Sequence, residues 1–167
     1  AASLDVQALE DPHGRVSLDA TLDFIDALLA RSSAAALGVL LATTAEPDAY
    51  HTPALVMLAS DCLREAFTVG FELQRLWGDG DRFAFDSARD TVTFRNPGAR
   101  RPAHEVLEVC ALSETTLGVR GLTGRMDELP LSVQLPSLAG PSEPLRALLG
   151  VEPGLGAELA SVTFRSE

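Results

Sequence analysis

The stretch spanning residues 129–165 constrains the fold more than any other part of this 167-residue chain. Leu129-Pro130-Leu131-Ser132-Val133-Gln134-Leu135-Pro136 alternates apolar and polar residues, the pattern of a half-buried strand. A polar Pro/Gly/Ser break follows. Pro144-Leu145-Arg146-Ala147-Leu148-Leu149-Gly150-Val151 then reads as a short helix that opens on proline and closes on glycine. Glu158-Leu159-Ala160-Ser161-Val162-Thr163-Phe164-Arg165 alternates again. Two one-sided strands around a helix require a sheet with its apolar face covered by helices.

Upstream, the period is helical. Ser17 is a suitable N-cap for a helix over 18–31, where Leu18, Leu22, Ile25 and Leu29 recur every three or four residues with Asp19, Asp23 and Asp26 between them. Residues 34–41 are small and apolar and extend this helix beyond a break at Ser32-Ser33. Pro53 sits in the first turn of a helix over 54–60. Asp61 is the expected cap of a helix over 62–76 that turns Leu63, Phe67, Phe71 and Leu76 one way. The period then drops to two: residues 82–86 and 91–95 predict an antiparallel hairpin joined at Arg89-Asp90. Pro102 opens a helix to about residue 120 that presents Val106, Val109, Leu112 and Leu117, and a polar loop leads from it to the strand at 131–135. The predicted fold is α+β: a single domain over residues 1–167 with a small, mostly antiparallel sheet packed against several helices.

Composition narrows the function. Acidic residues number 24 against 13 basic ones, all arginine, for a formal charge of −11. Such a surface repels phosphate backbones and anionic lipid, so neither nucleic acid nor membrane is an expected partner of this segment. The sequence offers no 18-residue apolar run, and a cytoplasmic location is expected. Cys62 and Cys110, each in apolar surroundings, read as two buried free thiols.

Several patterns imitate catalytic or metal chemistry without completing it. His104-Glu105-Val106-Leu107-Glu108 starts like a helical zinc motif, but Glu108 stands where a second imidazole is needed, and the series reads as a solvated helix face. Asp79, Asp81, Asp86 and Asp90 are not a calcium loop, because Phe83 interrupts the oxygen ligands, so they read as turn and strand-end acids. Gly150-x-x-x-Gly154-x-Gly156 has neither the residues of a phosphate loop nor dinucleotide spacing, and reads as a helix stop followed by a flexible link. The sequence contains no nucleophile elbow and few histidines. The expectation is no enzyme, no metal and no cofactor.

The run Leu9-Glu10-Asp11-Pro12-His13-Gly14-Arg15-Val16-Ser17-Leu18, the Leu-rich helix, and Leu37-Gly38-Val39-Leu40-Leu41-Ala42 resemble the entry segment of the N-terminal effector-binding domain of AraC-type transcription regulators. The resemblance is closest to the branch that contains the ornithine-utilisation regulators. It continues through residues 55–63, Arg64-Glu65-Ala66, Leu73-Gln74-Arg75-Leu76, the hairpin, Pro144-Leu145-Arg146-Ala147-Leu148-Leu149-Gly150-Val151 and Ser161-Val162-Thr163-Phe164, and so covers nearly the whole chain. It implies a bacterial ligand-sensing and dimerisation domain. DNA binding would then belong to a helix-turn-helix domain that the full-length protein carries C-terminal to this segment. Family members vary their ligand contacts, so no site residue is carried over.

The residues themselves suggest where a ligand would sit. A small-molecule site needs an apolar concavity with a few convergent polar groups. Phe67, Phe71 and Arg75 share one helix face, Trp77 follows, and Phe83, Phe85 or Phe94 extend the aromatic surface from the hairpin. Tyr50 and His51 precede Pro53 and are placed to close over such a cavity. Core packing equally explains the phenylalanines, and Glu72 or Asp79 would pair Arg75 at the surface. An inward Arg75 would favour a small anionic or amphipathic effector. The alternative function is a ligand-independent dimerisation module, a homodimer paired through apolar faces such as that of the 102–120 helix.

Overall fold

The computed structural model describes residues 16–45, 51–76, 82–128 and 130–165, with the side chains of residues 51 and 52 excepted. The first two helices start at serine caps. In α1 (Leu18–Leu29) the Ser17 hydroxyl accepts from the Ala20 N–H, and in α2 (Ala34–Thr44) the Ser33 hydroxyl accepts from Ala36. The Ser32-Ser33 break therefore starts a separate helix, not an extension of α1. α3 spans His51–Leu58, three residues earlier at its start than the sequence suggested, with Pro53 still in the first turn.

The next helix differs from expectation at both ends. α4 is Leu63–Glu72 with Cys62 at the cap position, and Asp61 caps nothing: its N–H donates to the Glu65 carboxylate at 2.9 Å. Past Glu72 the chain tightens into a 3-10 turn at Gln74–Leu76, which rotates Leu76 out of the α4 face and leaves it 58% exposed. Cys62 is exposed, not buried as expected, because it lies outside the helix on its cap; Cys110 is half-buried, and both thiols are free.

The expected hairpin is present: β1 (Phe83–Asp86) pairs antiparallel with β2 (Thr91–Phe94), Phe83 opposite Phe94. Its loop is held by Asp86, whose Oδ1 accepts from the Ala88 and Arg89 N–H groups, and by Asp90, which takes the left-handed conformation at φ 47°. α5 (Pro102–Thr123), β3 (Ser132–Leu135), α6 (Glu143–Leu149), β4 (Gly154–Leu155) and β5 (Ala160–Thr163) follow. Gly150 ends α6 at φ 75°, a conformation that glycine reaches without strain. Beyond it the sequence reading was wrong: Gly154 and Leu155 form a short strand parallel to β3, with Gln134 opposite Gly154, so the segment is tied into the sheet.

The sheet order is β1-β2-β5-β3-β4, antiparallel except for the β3–β4 pair, which makes the unit α+β as expected. Alternation gives it one apolar face, where Val92, Phe94, Val133, Leu135, Ala160, Val162 and Phe164 are buried against the helices. α5 is the central helix. Val106, Val109, Leu112 and Val119 on it are fully buried, and Ser113 and Thr116 turn buried hydroxyl positions into the same packing. The apolar face that the sequence offered for pairing two subunits is thus spent inside the chain's own core. α2 crosses α5 closely at Gly38, where a Cβ would stand 2.6 Å from the Val109 Cβ and 2.8 Å from the Val106 carbonyl oxygen.

Candidate functional site

α4 and β1 meet along a line of aromatic rings. Phe67 and Phe71 follow one another at helical spacing and stack with centroids 5.4 Å apart. β1 alternation turns Phe83 and Phe85 toward them: Phe71 lies 5.2 Å from Phe83, and Phe67 lies 5.3 Å from Phe85. Beneath the rings Phe94 and Phe164 complete the cluster, at 4.9 Å from Phe83 and 6.3 Å from Phe67 respectively. Aromatic pairs at these separations add to the burial of their area and hold the rings rigidly.

Over these rings runs an open groove of about 570 Å³, and Phe67, Phe71, Phe83 and Phe85 form its apolar floor. Thr68, Glu72 and Arg75 supply its polar margin. Of the expected residues, Phe67, Phe71 and Arg75 are brought together here. Arg75 stands exposed at the rim, one acid and one base being offered by Glu72 and Arg75. Tyr50, Trp77, Asp79 and Asp81 lie outside the described residues, as does the side chain of His51, whose backbone begins α3. All three hairpin phenylalanines share one face, but only Phe83 and Phe85 on the edge strand reach the groove, whereas Phe94 is 5% exposed beneath them.

Gln74, which the sequence reading passed over, organises this margin. Its Oε1 accepts from the Arg82 and Phe83 N–H groups at 2.7 and 2.8 Å, and its Nε2 donates to the Phe83 carbonyl at 2.9 Å. The register leaves Phe83 with its backbone groups pointing away from β2, so one side-chain amide replaces the missing neighbouring strand. Thr68 was missed and Glu72 was read only as a surface partner of Arg75, although both repeat the spacing of Phe67 and Phe71 one residue further along the helix.

The His104–Glu108 series is not a solvated face. His104 and Glu108 are 2% and 3% exposed, because the N-terminus of α5 is buried under α1 and the 96–101 and 137–139 segments. Both Glu108 oxygens are engaged by the Arg100 guanidinium at 2.7 and 3.0 Å, and Asn96 donates to one of them at 3.1 Å. The His104 Nδ1 accepts from the Arg101 N–H at 3.1 Å. The buried carboxylate is thereby committed to an ion pair with the exposed Arg100, and no group of three His, Cys, Asp or Glu residues placed to hold a metal occurs among the described residues. Burial pushes the His104 pKa below the ordinary histidine range, and burial beside Glu114 pushes the Cys110 thiol far above the ordinary cysteine range, which keeps that sulfur protonated and poorly nucleophilic. No described helix is long and apolar enough to cross a membrane.

No curated protein matches the chain. The family described as the N-terminal arabinose-binding domain of AraC transcription regulators matches it over residues 1–167, an extent that takes in the aromatic groove, the buried α5 terminus and the whole sheet. The chain belongs to that family, and is a ligand-binding regulatory domain of the AraC type.

Proposed function

We propose that the aromatic groove is the effector site of this domain, and that its occupancy biases a DNA-reading domain attached in the full-length regulator. The observation that carries the reading is the convergence of four phenylalanines with Glu72 and Arg75 on one concave surface of about 570 Å³. That volume lies within the range of small-molecule sites, and an apolar floor with few polar groups is their usual composition. The fitting effector is a small amphipathic metabolite whose body lies on the rings and whose carboxylate meets Arg75. Trp77, two residues past Arg75, and Tyr50 and His51, in the segment before Pro53, belong to this proposal from their places in the sequence. For the effector to regulate, it must bind one conformation of the domain more tightly than another. The hairpin and α4 are the elements it would hold together.

A thermal-shift screen of carboxylated metabolites tests the reading, because a ligand of the folded form raises the melting temperature once its concentration exceeds its Kd. A dose-dependent rise that is lost in Phe71→Ala supports it; the same rise in both proteins places the site elsewhere. A cytoplasmic homodimer is part of the same proposal. With the α5 face buried, exposed leucines on α2 and α3 are the contact we assign, Leu40, Leu41, Leu55 and Leu58 being 54%, 40%, 68% and 64% exposed, although Phe24, Leu76, Met126, Leu131 and Leu155 are exposed as well. Sedimentation equilibrium of Leu55→Glu together with Leu58→Glu is expected to give a monomer where the wild-type chain gives a dimer.

A further inference from the structure

The outer edge of β1 borders the aromatic groove and carries one open pair of backbone groups. Arg82 and Arg95 form a hydrogen-bonded pair, the Arg95 N–H donating to the Arg82 carbonyl at 2.8 Å. An antiparallel ladder alternates, so Ala84 and Asp86 bond inward to β2, while Phe83 and Phe85 turn both backbone groups outward. Phe83 is served by the Gln74 carboxamide, whose Oε1 and Nε2 take its N–H and its carbonyl together. Phe85 follows about 7 Å further along, on the same side of the strand. Its N–H and carbonyl meet no group of the described residues. Gln74 and Phe85 both line the groove, which fixes the side on which this pair lies.

The chain itself limits what can pair there. Toward Phe83 the edge is closed by Gln74, and beyond Asp86 it turns away, the Asp86 carboxylate holding the Ala88 and Arg89 N–H groups in the hairpin loop. One residue's pair of groups remains, too short for an added strand and sufficient for one amide. A solvent-facing edge is hydrated, and a ligand that displaces the water must return both bonds. A carboxamide does so only when its oxygen and an N–H lie on the same side of the C–N bond. A primary amide meets this condition, as Gln74 demonstrates at Phe83. A trans secondary amide points its N–H away, and an ester or a carboxylate has no proton to donate.

We propose that the Phe85 backbone binds the primary carboxamide of a small ligand, the amide oxygen accepting from the Phe85 N–H and the amide nitrogen donating to the Phe85 carbonyl, while an apolar body lies on the rings of Phe67 and Phe71. This rests on the reading of the groove as the effector site and names the ligand class: a monoamide of a dicarboxylic acid, with its carboxylate toward Arg75. The probe is phenylacetamide, titrated into the isotope-labelled chain while the Phe85 amide and the Phe71 and Phe83 rings are followed by NMR. N-methylphenylacetamide, whose N–H is turned away, and methyl phenylacetate, which only accepts, are the controls. Phenylacetamide is expected to shift the Phe85 amide proton downfield to saturation, and both controls to bind about tenfold more weakly, the contribution of one hydrogen bond. Phe85→Leu keeps the backbone pair and is expected to weaken all three compounds alike, leaving the preference intact. Phe85→Pro removes the N–H at a position that makes no ladder bond and is expected to lose the preference. Should the proline variant fail to fold, the wild-type preference and the leucine variant decide. A Phe85 amide unmoved at saturation, equal affinity for either control, or a preference that vanishes in Phe85→Leu would overturn the carboxamide assignment, while ring shifts at Phe71 and Phe83 would leave the groove standing as a site. A natural effector that moves neither the rings nor the Phe85 amide, beside intact phenylacetamide binding, would overturn the effector reading and leave the carboxamide contact supported.

Discussion

Gln74 and His104 show how single side chains at two helix ends carry much of this molecule's polar order. Gln74 is buried and makes three hydrogen bonds to the edge of β1. Gln74→Leu keeps the volume and strands two backbone donors and an acceptor, so it is expected to lower stability by about 1–3 kcal/mol. Urea denaturation measures this, and hydrogen exchange is expected to show the Phe83 amide losing protection ahead of the rest of the sheet. For His104, burial lowers the pKa and outweighs the opposing pull of Glu108 and Asp26, while the nearby Arg100 and Arg101 charges reinforce it. The unfolded chain then binds the proton more readily than the folded one. Stability from this group is complete above the ordinary histidine pKa of about 6.5 and declines as the pH falls below it. His104→Gln is expected to show a shallower loss of stability between about pH 7 and pH 5 than the wild type; parallel curves would contradict a neutral buried imidazole.

Helices and strands here differ in how plainly the sequence announces them. The hairpin, α1, α5 and the closing β3–α6–β5 series follow from side-chain period, because one buried face repeats at two or at 3.6 residues. What escaped was set by contacts between distant segments. β4 has two residues and exists only because β3 offers an edge to Gly154, and α5 buries its polar N-terminal turn because Asp26 from α1 and Arg100 complete it. The site was legible in part: the spacing of Phe67, Phe71 and Arg75 gives one face, but the role of Gln74 depends on β1 lying alongside. Gly38 marks the other long-range contact. An added Cβ meets both the Val109 side chain and the Val106 backbone, so the α2–α5 crossing must widen. Gly38→Ala is expected to destabilise by about 1–3 kcal/mol, the usual cost of overpacking, although alanine is the better helix former. A denaturation midpoint equal to or above that of the wild type would refute this close approach.

As a whole, the molecule is a sheet with one face covered by helices, strongly acidic, and open at a rim where α4 meets the sheet edge. At a formal charge of −11 the chain is expected to leave duplex DNA unshifted in a mobility assay at moderate salt, since it lacks the cationic surface that supplies non-specific affinity. The central claim is that the aromatic groove holds the effector. Its most direct test is calorimetric titration of the effector, identified by mass spectrometry of ligand released from the purified protein, into the wild type and into the Arg75→Ala, Trp77→Ala double variant. The account predicts an affinity lower by about tenfold or more in the double variant, the loss of a charge-assisted hydrogen bond and a ring contact. An unchanged affinity, in a variant that melts like the wild type, would contradict it.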